Sequence, residues 1–237
     1  MSTAKKILMV LMVALAFAGV CITMNPLVQR ASTQMKVDKT NAKFEERVEK
    51  TEEEEPEVVP YEQLLEHIRY YNKCLYDSKQ IAFTTKFAYE TPAFTLGQYG
   101  VRDEVFGIIS IPAMDVELPI YLGASEENMA NGAAVLGQTS VPIGGVNTNS
   151  VIAGHRGWNG YPYFLDIELL QVGDLVYVRN LWETLTYEVT EIKTVSPDNV
   201  EAILIQEGKD MITLLTCHPP NTGGRERYLV FCERVEE

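Results

Sequence analysis

The part of the chain from Val105 onward is a series of short apolar and β-branched runs separated by Gly, Pro and Asn. Runs of this length between turn residues are typical of β-strands. We predict seven strands, over residues 105–111, 116–121, 150–153, 175–179, 184–195, 211–216 and 228–232. Many short strands joined by turns indicate a barrel or a sandwich, so the predicted fold class is mainly β.

Three other segments have helical patterns. Residues 61–80 repeat apolar side chains at a helical spacing, which gives the segment one face to pack; Cys74 lies near that face and His67 away from it. We therefore expect Cys74 to pack and His67 to be solvated. Residues 125–132 and 197–206 are predicted to be short helices, because each has a Ser or Asp near its start that is suited to cap a helix.

The N-terminal region has the pattern of a membrane anchor. Lys5 and Lys6 precede an uncharged, apolar run over residues 7–24. At ~1.5 Å per residue this run covers most of a bilayer core, and its length favours a retained signal anchor over a cleaved secretory signal. The two lysines before the run place residues 1–6 in the cytoplasm and the rest of the chain outside.

Residues 25–60 are polar and charged, and they end in an acidic run around Pro56 that repels itself. This composition predicts a stalk or linker. The predicted organisation is a cytoplasmic tail at 1–6, a transmembrane anchor at 7–24, an acidic linker at 25–60, a helical segment and possible lid at 61–100, and a β-domain at 101–237.

Composition limits the classes of partner. The 237 residues are 46% hydrophobic and 22% charged, which is ordinary for one globular domain with accessory segments. The net charge of −13 argues against a nucleic-acid partner, since phosphate binding needs clustered Lys and Arg.

The four cysteines, Cys21, Cys74, Cys217 and Cys232, are far apart and lack the paired spacing of a disulfide framework or a zinc ribbon. A metal site built from Cys217, His218, Cys232 and His155 is the one conceivable set, but its spacing is wrong for zinc. We therefore expect neither a metal nor a cofactor, and we expect Cys232 to be a buried apolar residue.

Candidate catalytic residues stand at predicted strand ends. Cys217 ends the run Thr213-Leu214-Leu215-Thr216-Cys217, His155 ends an apolar strand between Gly154 and Gly157, and Arg225 and Arg227 precede the last strand. A lone strand cysteine is more often structural, and a histidine at a strand end can simply hydrogen-bond a loop. Together, however, a cysteine, a histidine and an arginine supply a nucleophile, an acid–base group and an oxyanion stabiliser.

These motifs resemble those of the sortases, the cysteine transpeptidases of Gram-positive cell surfaces. The resemblance rests on the run 213–217, on Val151-Ile152-Ala153-Gly154-His155-Arg156-Gly157 and on Arg227-Tyr228-Leu229-Val230, in the order His, Cys, Arg. The segments 118–123 and 132–150 are most similar to class C, the pilus-assembling branch. Papain-like and caspase-like hydrolases differ in the order of Cys and His or in the residues around the cysteine.

The resemblance implies an eight-stranded β-barrel and a catalytic set of His155, Cys217 and Arg227. As implied by the family, the Cys217 thiolate attacks the Thr–Gly carbonyl of an LPxTG-like sorting signal, and His155 protonates the departing amine. Arg227 is preferred to Arg225 because the Tyr-Leu-Val strand follows it, and it would bind the carbonyl oxygen or the substrate backbone. Thr216 is expected to contact the substrate through its backbone or hydroxyl.

The implied partners are sorting-signal proteins and an amine acceptor, either a pilin lysine or a cell-wall precursor. Class C sortases commonly carry an Asp-Pro-aromatic lid and a C-terminal hydrophobic span. Residues 87–94 hold no aspartate, and the chain ends soon after its last strand, so anchoring of surface proteins to the wall is the competing expectation. We expect residues 83–100 to cover the groove in part. A membrane-tethered β-domain that only binds a partner is the alternative from another class.

Overall fold

The computed structural model describes residues 3–54, 61–81 and 89–235. Ten strands are present in these ranges: β1 (Val105–Ile111), β2 (Val116–Leu122), β3 (Ala133–Val135), β4 (Thr148–Ala153), β5 (Arg156–Trp158), β6 (Tyr161–Tyr163), β7 (Leu175–Arg179), β8 (Thr184–Val195), β9 (Asp210–His218) and β10 (Glu226–Arg234). Eight of them form a closed barrel in the order β1-β2-β3-β4-β9-β10-β8-β7, and β5 pairs with β6 in a separate hairpin.

The mainly β class and the eight-stranded barrel are confirmed. The predicted bounds of β1, β7 and β8 match the structure, and β2, β4, β9 and β10 are one to four residues longer than predicted. The strands β3, β5 and β6 were not predicted. Each has only three residues, which is too short to show an alternation of apolar and polar positions.

Strand β9 separates two regions of apolar packing. Ile212 and Leu214 belong to the main core inside the barrel, whereas Met211 belongs to a second cluster on the outer side, against which Leu215 packs. Successive side chains of a strand point to opposite faces, so the odd-numbered residues of β9 lie on the outer side. Cys217 is therefore directed away from the barrel interior, and it is exposed.

The described residues also include the α-helices α1 (Thr3–Glu54), α2 (Glu62–Asp77) and α3 (Glu126–Asn131). The helix predicted over 61–80 corresponds to α2, and its apolar face, which includes Leu64, is buried. The helix predicted over 125–132 corresponds to α3, where Ser125 caps the first turn by accepting a hydrogen bond from Asn128 N at 3.2 Å.

The helix predicted over 197–206 is wrong in extent. Only Val200–Ile203 is helical, and it forms a single 3₁₀ turn. Such a short segment gains little from helix formation alone, and several of its residues line an open groove instead of packing on a helical face.

Helix α1 extends through much of the segment predicted to be a linker, which is a difference from the sequence analysis. Val37, Phe44 and Val48 are buried on one face of α1 and join the main core, so this part of the chain packs on the barrel. Within the described ranges, no helix has both the length and the apolarity that a membrane crossing requires. The anchor over 7–24 stays a prediction, and residues 55–60 lie outside the described residues.

Candidate active site

The order of three adjacent strands brings the histidine to the cysteine. Strand β4 runs parallel to β9, with Ala153 beside Leu215. The pairing continues past the end of β4, because Gly154 N donates to Leu215 O at 3.1 Å. His155 lies two residues after Ala153, and Cys217 lies two residues after Leu215. His155 therefore reaches the same end of the barrel as Cys217.

Arg227 approaches the cysteine from the other side. In the antiparallel pairing of β10 with β9, Arg227 lies directly opposite Cys217, so both side chains are on one face of the sheet. A Cβ atom added to Gly224 would lie 2.9 Å from Arg227 Nη1 and 3.0 Å from Cys217 Sγ, so both atoms converge beside the loop between the strands. Arg225 lies in that loop, before β10, and is exposed.

The guanidinium of Arg227 is held by that loop. Its Nη1 donates to Gly224 O at 2.7 Å and to Glu226 O at 3.1 Å. These bonds fix the permanent positive charge of Arg227 next to Cys217 Sγ.

Aromatic side chains surround His155. Its ring stacks on Trp158 at a centroid distance of 4.8 Å and an angle of 17°, and the Tyr163 ring meets it edge-on at 6.1 Å. Burial lowers the pKa of His155 below its ordinary value of 6.5, and the carboxylate of Glu126 partly opposes that shift. At neutral pH the imidazole is therefore mostly neutral and able to accept a proton.

Phe164 packs closely against the backbone of Gly154 and His155. Phe164 N donates to His155 O at 2.9 Å, and the Phe164 ring lies so near Gly154 that an added Cβ would be 2.6 Å from it. No side chain fits at residue 154 without a shift of that ring. This close approach explains why a glycine precedes the histidine.

The structure places Thr216 differently from the expected hydroxyl contact with substrate. Thr216 is 1% exposed, and its Oγ1 donates to Gly154 O at 2.7 Å. Strand alternation turns its side chain away from the face that carries Cys217. The hydroxyl therefore joins the end of β9 to the residue that precedes His155.

A groove of about 610 Å³ runs along the outer face of β9 and β10 to the cysteine. Cys217 and Arg227 lie in its wall, Leu215 and Leu229 supply apolar surface, and Asp198 lies in the wall contributed by residues 195–200. Apolar and polar groups both line the groove, with Cys217 and Arg227 in one wall. Such a shape suits an extended peptide.

Tyr89 and Glu90 line the same groove. The Tyr89 carbonyl accepts hydrogen bonds from Ala124 N at 2.8 Å and Gly137 N at 3.0 Å, which fixes this segment against the barrel. Glu90 O and Pro92 N approach Gly123 so closely that an added Cβ would lie 2.7 Å from each. The described part of the predicted cover, 89–100, thus reaches the groove, and residues 82–88 lie outside the described residues.

Cys74 and Cys232, the other cysteines whose side chains the structure describes, do not join this site. Cys232 is buried in the barrel interior, where burial raises the pKa of its thiol, and it pairs with Ile212, five residues before Cys217 on β9. Cys74, Cys217 and Cys232 are free thiols. Cys74 is exposed on α2, so its predicted packing role is wrong, whereas His67 is exposed as predicted.

The metal set considered from the sequence does not assemble. Cys217 and Cys232 face opposite sides of the sheet, and among the described residues no group of three or more His, Cys, Asp or Glu side chains is placed to hold an ion.

The sequence analysis missed three residues near the site, Trp158, Glu126 and Tyr89. Of these three residues, only Trp158 is close to a predicted site residue in the sequence, since it follows His155 by three positions.

Comparison with known proteins agrees with this geometry. A model of the sortase domain matches residues 109–235. Among curated proteins, sortase A of Bacillus anthracis is 35% identical over 129 residues, covering 54% of this chain and 59% of the relative. Sortase A of Listeria monocytogenes is 34% identical over 120 residues, covering 50% of this chain and 52% of the relative. The chain thus spans a little over half the length of the curated relatives it matches.

Solved structures match over a longer part of the chain. Sortase C1 of GBS Pilus Island 1 superposes with a TM-score of 0.71 at 27% identity, covering 85% of this chain and 93% of that structure. Sortase C from Clostridium perfringens SM101 superposes with a TM-score of 0.65 at 31% identity, covering 84% and 99%.

Proposed function

Because the chain belongs to the sortase family, we propose that it is a cysteine transpeptidase that cleaves an LPxTG-like sorting signal between Thr and Gly and transfers the acyl group to an amine. The observation that carries this proposal is the position of Cys217, which stands between His155 at the end of β4 and Arg227 on β10. A binding module would have no need of this arrangement.

In the first half of the reaction, His155 takes the thiol proton as the Cys217 sulfur attacks the carbonyl carbon of the threonine. The neutral form of His155, which burial favours, is the form that can accept this proton. When the tetrahedral intermediate collapses, the bond between carbon and the glycine nitrogen breaks, and the imidazolium gives its proton to the departing amine. The products are a thioacyl-enzyme and a free glycine amine.

In the second half, an incoming amine attacks the thioester. His155 removes a proton from the attacking nitrogen, and the sulfur leaves as the thiolate, so the enzyme returns to its starting state once the proton passes back. Arg227 stabilises the charge that develops on the carbonyl oxygen in both halves. Its position directly across from Cys217 puts a fixed cation within reach of that oxygen.

We infer that the acceptor amine is a pilin lysine. Two observations favour this choice: the structural neighbours are class C sortases, one described as from a pilus island, and the segment at Tyr89 lines the groove. The competing function is attachment of surface proteins to a cell-wall precursor. The names of several sequence relatives, sortase A rather than sortase C, favour that alternative. We give more weight to the structural neighbours because they cover most of the chain.

The same proposal places the enzyme at the cell surface. The predicted anchor over residues 7–24 would hold the barrel outside the cell, where sorting signals and acceptor amines meet it. Treatment of intact cells with an external protease, followed by detection of the barrel, tests this location. Loss of the barrel from intact cells is expected, and full protection would contradict the external placement.

The activity is tested with a fluorogenic sorting-signal peptide mixed with the soluble barrel and either a peptide bearing a pilin-type lysine or a wall-precursor peptide. Mass analysis then identifies which amine is joined to the threonine carbonyl. Product with the lysine peptide supports pilin transfer, and product with the wall peptide alone supports the alternative. Cleavage that persists in Cys217→Ala would refute both.

A further inference from the structure

Two of the proposed catalytic residues, His155 and Cys217, are followed directly by a residue that takes no part in the chemistry above. Arg156 follows His155, and His218 follows Cys217. We propose that Arg156 is a positioning residue that joins the ends of β4 and β9 from the side opposite the groove and so fixes His155 relative to Cys217. The inference rests on the proposed function of this site.

Arg156 is an unusual arginine for a strand end, because its side chain is only 3% exposed. All three nitrogens of its guanidinium have partners, two of them on residues 165–168 and one at the end of β9. Nε donates to Leu165 O at 3.0 Å, Nη1 donates to His218 Nδ1 at 3.3 Å, and Nη2 pairs with Glu168 Oε2 at 2.7 Å. The planar fork of arginine can make these contacts at once, which the single ammonium of lysine cannot.

His218 is the link from this arginine to the nucleophile. Its ring lies 5.5 Å from the Tyr228 ring, and the Arg156 guanidinium lies 5.6 Å from that same ring. Tyr228 in turn is opposite Thr216 on β9 and next to Arg227 on β10. Arg156 thereby contacts the strand that carries Cys217 and the strand that carries Arg227.

Strand alternation explains why Arg156, His218 and Tyr228 position the catalytic residues and do not take part in the chemical steps. Cys217 and His218 are neighbours on β9, so their side chains point to opposite faces. The groove lies on the face of Cys217, and the contacts of Arg156 lie on the face of His218. A change at Arg156 therefore alters the placement of the catalytic groups without removing any group that touches the substrate.

Energetics indicate which partner matters most. Glu168 is 52% exposed, so water screens its ion pair with Arg156. The contacts of the guanidinium with Leu165 O and His218 are part-buried, and loss of the guanidinium would leave the Leu165 carbonyl without this donor. We therefore expect replacement of Arg156 to have a much larger effect than replacement of Glu168.

The test is steady-state kinetics of Arg156→Ala and Arg156→Lys with the sorting-signal peptide. We expect kcat to fall by about 10- to 100-fold with little change in KM, because small displacements of catalytic groups reduce the rate without changing the groove. Arg156→Lys is expected to recover only a small part of the loss. Added guanidinium ion should raise kcat of Arg156→Ala, since it can occupy the vacated site. An unchanged kcat, or a loss confined to KM, would contradict the proposal.

Two controls separate positioning from general damage. Asp166→Asn alters an exposed carboxylate two residues from Glu168 and should leave kcat unchanged. The double variant Arg156→Ala with His218→Ala should be little worse than Arg156→Ala alone, because both changes break one link. Fully additive losses would show that the two residues act separately and would overturn the link.

A readout without substrate keeps this test distinct from that of the proposed function. Amide hydrogen exchange in Arg156→Ala should accelerate together around residues 154–157 and 216–219, and the rest of the barrel should stay protected. This result is expected even if the protein cleaves no sorting signal. Acceleration confined to one of the two segments would contradict the coupling, and acceleration throughout the barrel would show a purely structural role.

Discussion

Arg227 lies directly opposite Cys217 across the pairing of β10 with β9, and the loop between the two strands holds its guanidinium through the carbonyls of Gly224 and Glu226. The cation and the nucleophile thus share one face and one groove. In the proposed reaction, a cation that the loop fixes before substrate binds would need little reorganisation when charge develops on the scissile carbonyl.

Replacement of Arg227 tests this arrangement. Arg227→Ala should lower kcat/KM by about 100-fold or more, as removal of one oxyanion donor does in other enzymes. Arg227→Lys should retain only part of the activity, because lysine keeps the charge but not the planar fork. Arg225→Ala is the matched control: it alters the exposed arginine two residues earlier and should leave kcat/KM within about twofold of wild type. Equal losses in both variants would remove the special role of Arg227.

The pKa of His155 responds to one identifiable carboxylate. Burial lowers this pKa and Glu126 raises it, so Glu126→Gln should lower it further. The sign follows from charge, because the imidazolium loses a favourable negative neighbour. Titration of the His155 ring protons by NMR gives the pKa directly. Glu127→Gln is the control on the same helix turn and should shift the pKa less. A rise of the pKa in Glu126→Gln would contradict this electrostatic account.

The segment around Tyr89 should limit access to Cys217. Tyr89→Ala removes a side chain from the groove wall, while the backbone bonds of Tyr89 to Ala124 and Gly137 remain possible. We expect faster labelling of Cys217 by a thiol reagent and faster cleavage of the sorting-signal peptide, each by several-fold. Thr95→Ala, an exposed change later in the same segment, should have no effect. Labelling rates that are equal in wild type and Tyr89→Ala would show that this segment does not cover the site.

The close contact between Gly154 and Phe164 predicts that a methyl group added at residue 154 lowers the stability of the protein. Gly154→Ala would place Cβ 2.6 Å from the Phe164 ring. We expect a loss of about 1–3 kcal/mol in the free energy of unfolding, measured in urea, together with lower activity because His155 is displaced. In a Phe164→Leu background, Gly154→Ala should lower the free energy of unfolding by less, since the smaller leucine side chain can move away from the added methyl group. The same cost in both backgrounds would show that this contact is not the cause.

Much of this fold could be predicted from patterns of apolar residues. Strand β8 shows an alternation of apolar and polar residues that turn residues delimit, so its predicted bounds were correct. The strands β3, β5 and β6 could not be found in the same way, because three residues show no period. The packing of α1 was missed for a different reason. Its buried residues, Val37, Phe44 and Val48, are few among many charges, and only the barrel surface against which they pack reveals their role.

The candidate site was predicted by residue type and order, whereas its geometry depends on contacts that are distant in sequence. Cys217, His155 and Arg227 were identified from motifs at strand ends. Thr216 was expected to contact the substrate through its backbone or hydroxyl because it adjoins the nucleophile. Strand alternation and the bond to Gly154 direct its side chain inward, and the backbone contact stays a prediction. The contacts of Tyr89 with the groove and of Arg156 with His218 join residues 35 or more positions apart, and nothing in the local pattern indicated them.

The central claim is that Cys217 forms a thioacyl intermediate. Intact-mass analysis of the soluble barrel, mixed with a sorting-signal peptide in the absence of an amine acceptor, tests it most directly. We expect a mass increase equal to the peptide up to its threonine, located on Cys217 by peptide mapping, absent in Cys217→Ala and discharged when an amine is added. A protein that cleaves the peptide without this adduct in wild type, or that carries the adduct on another residue, would contradict the account.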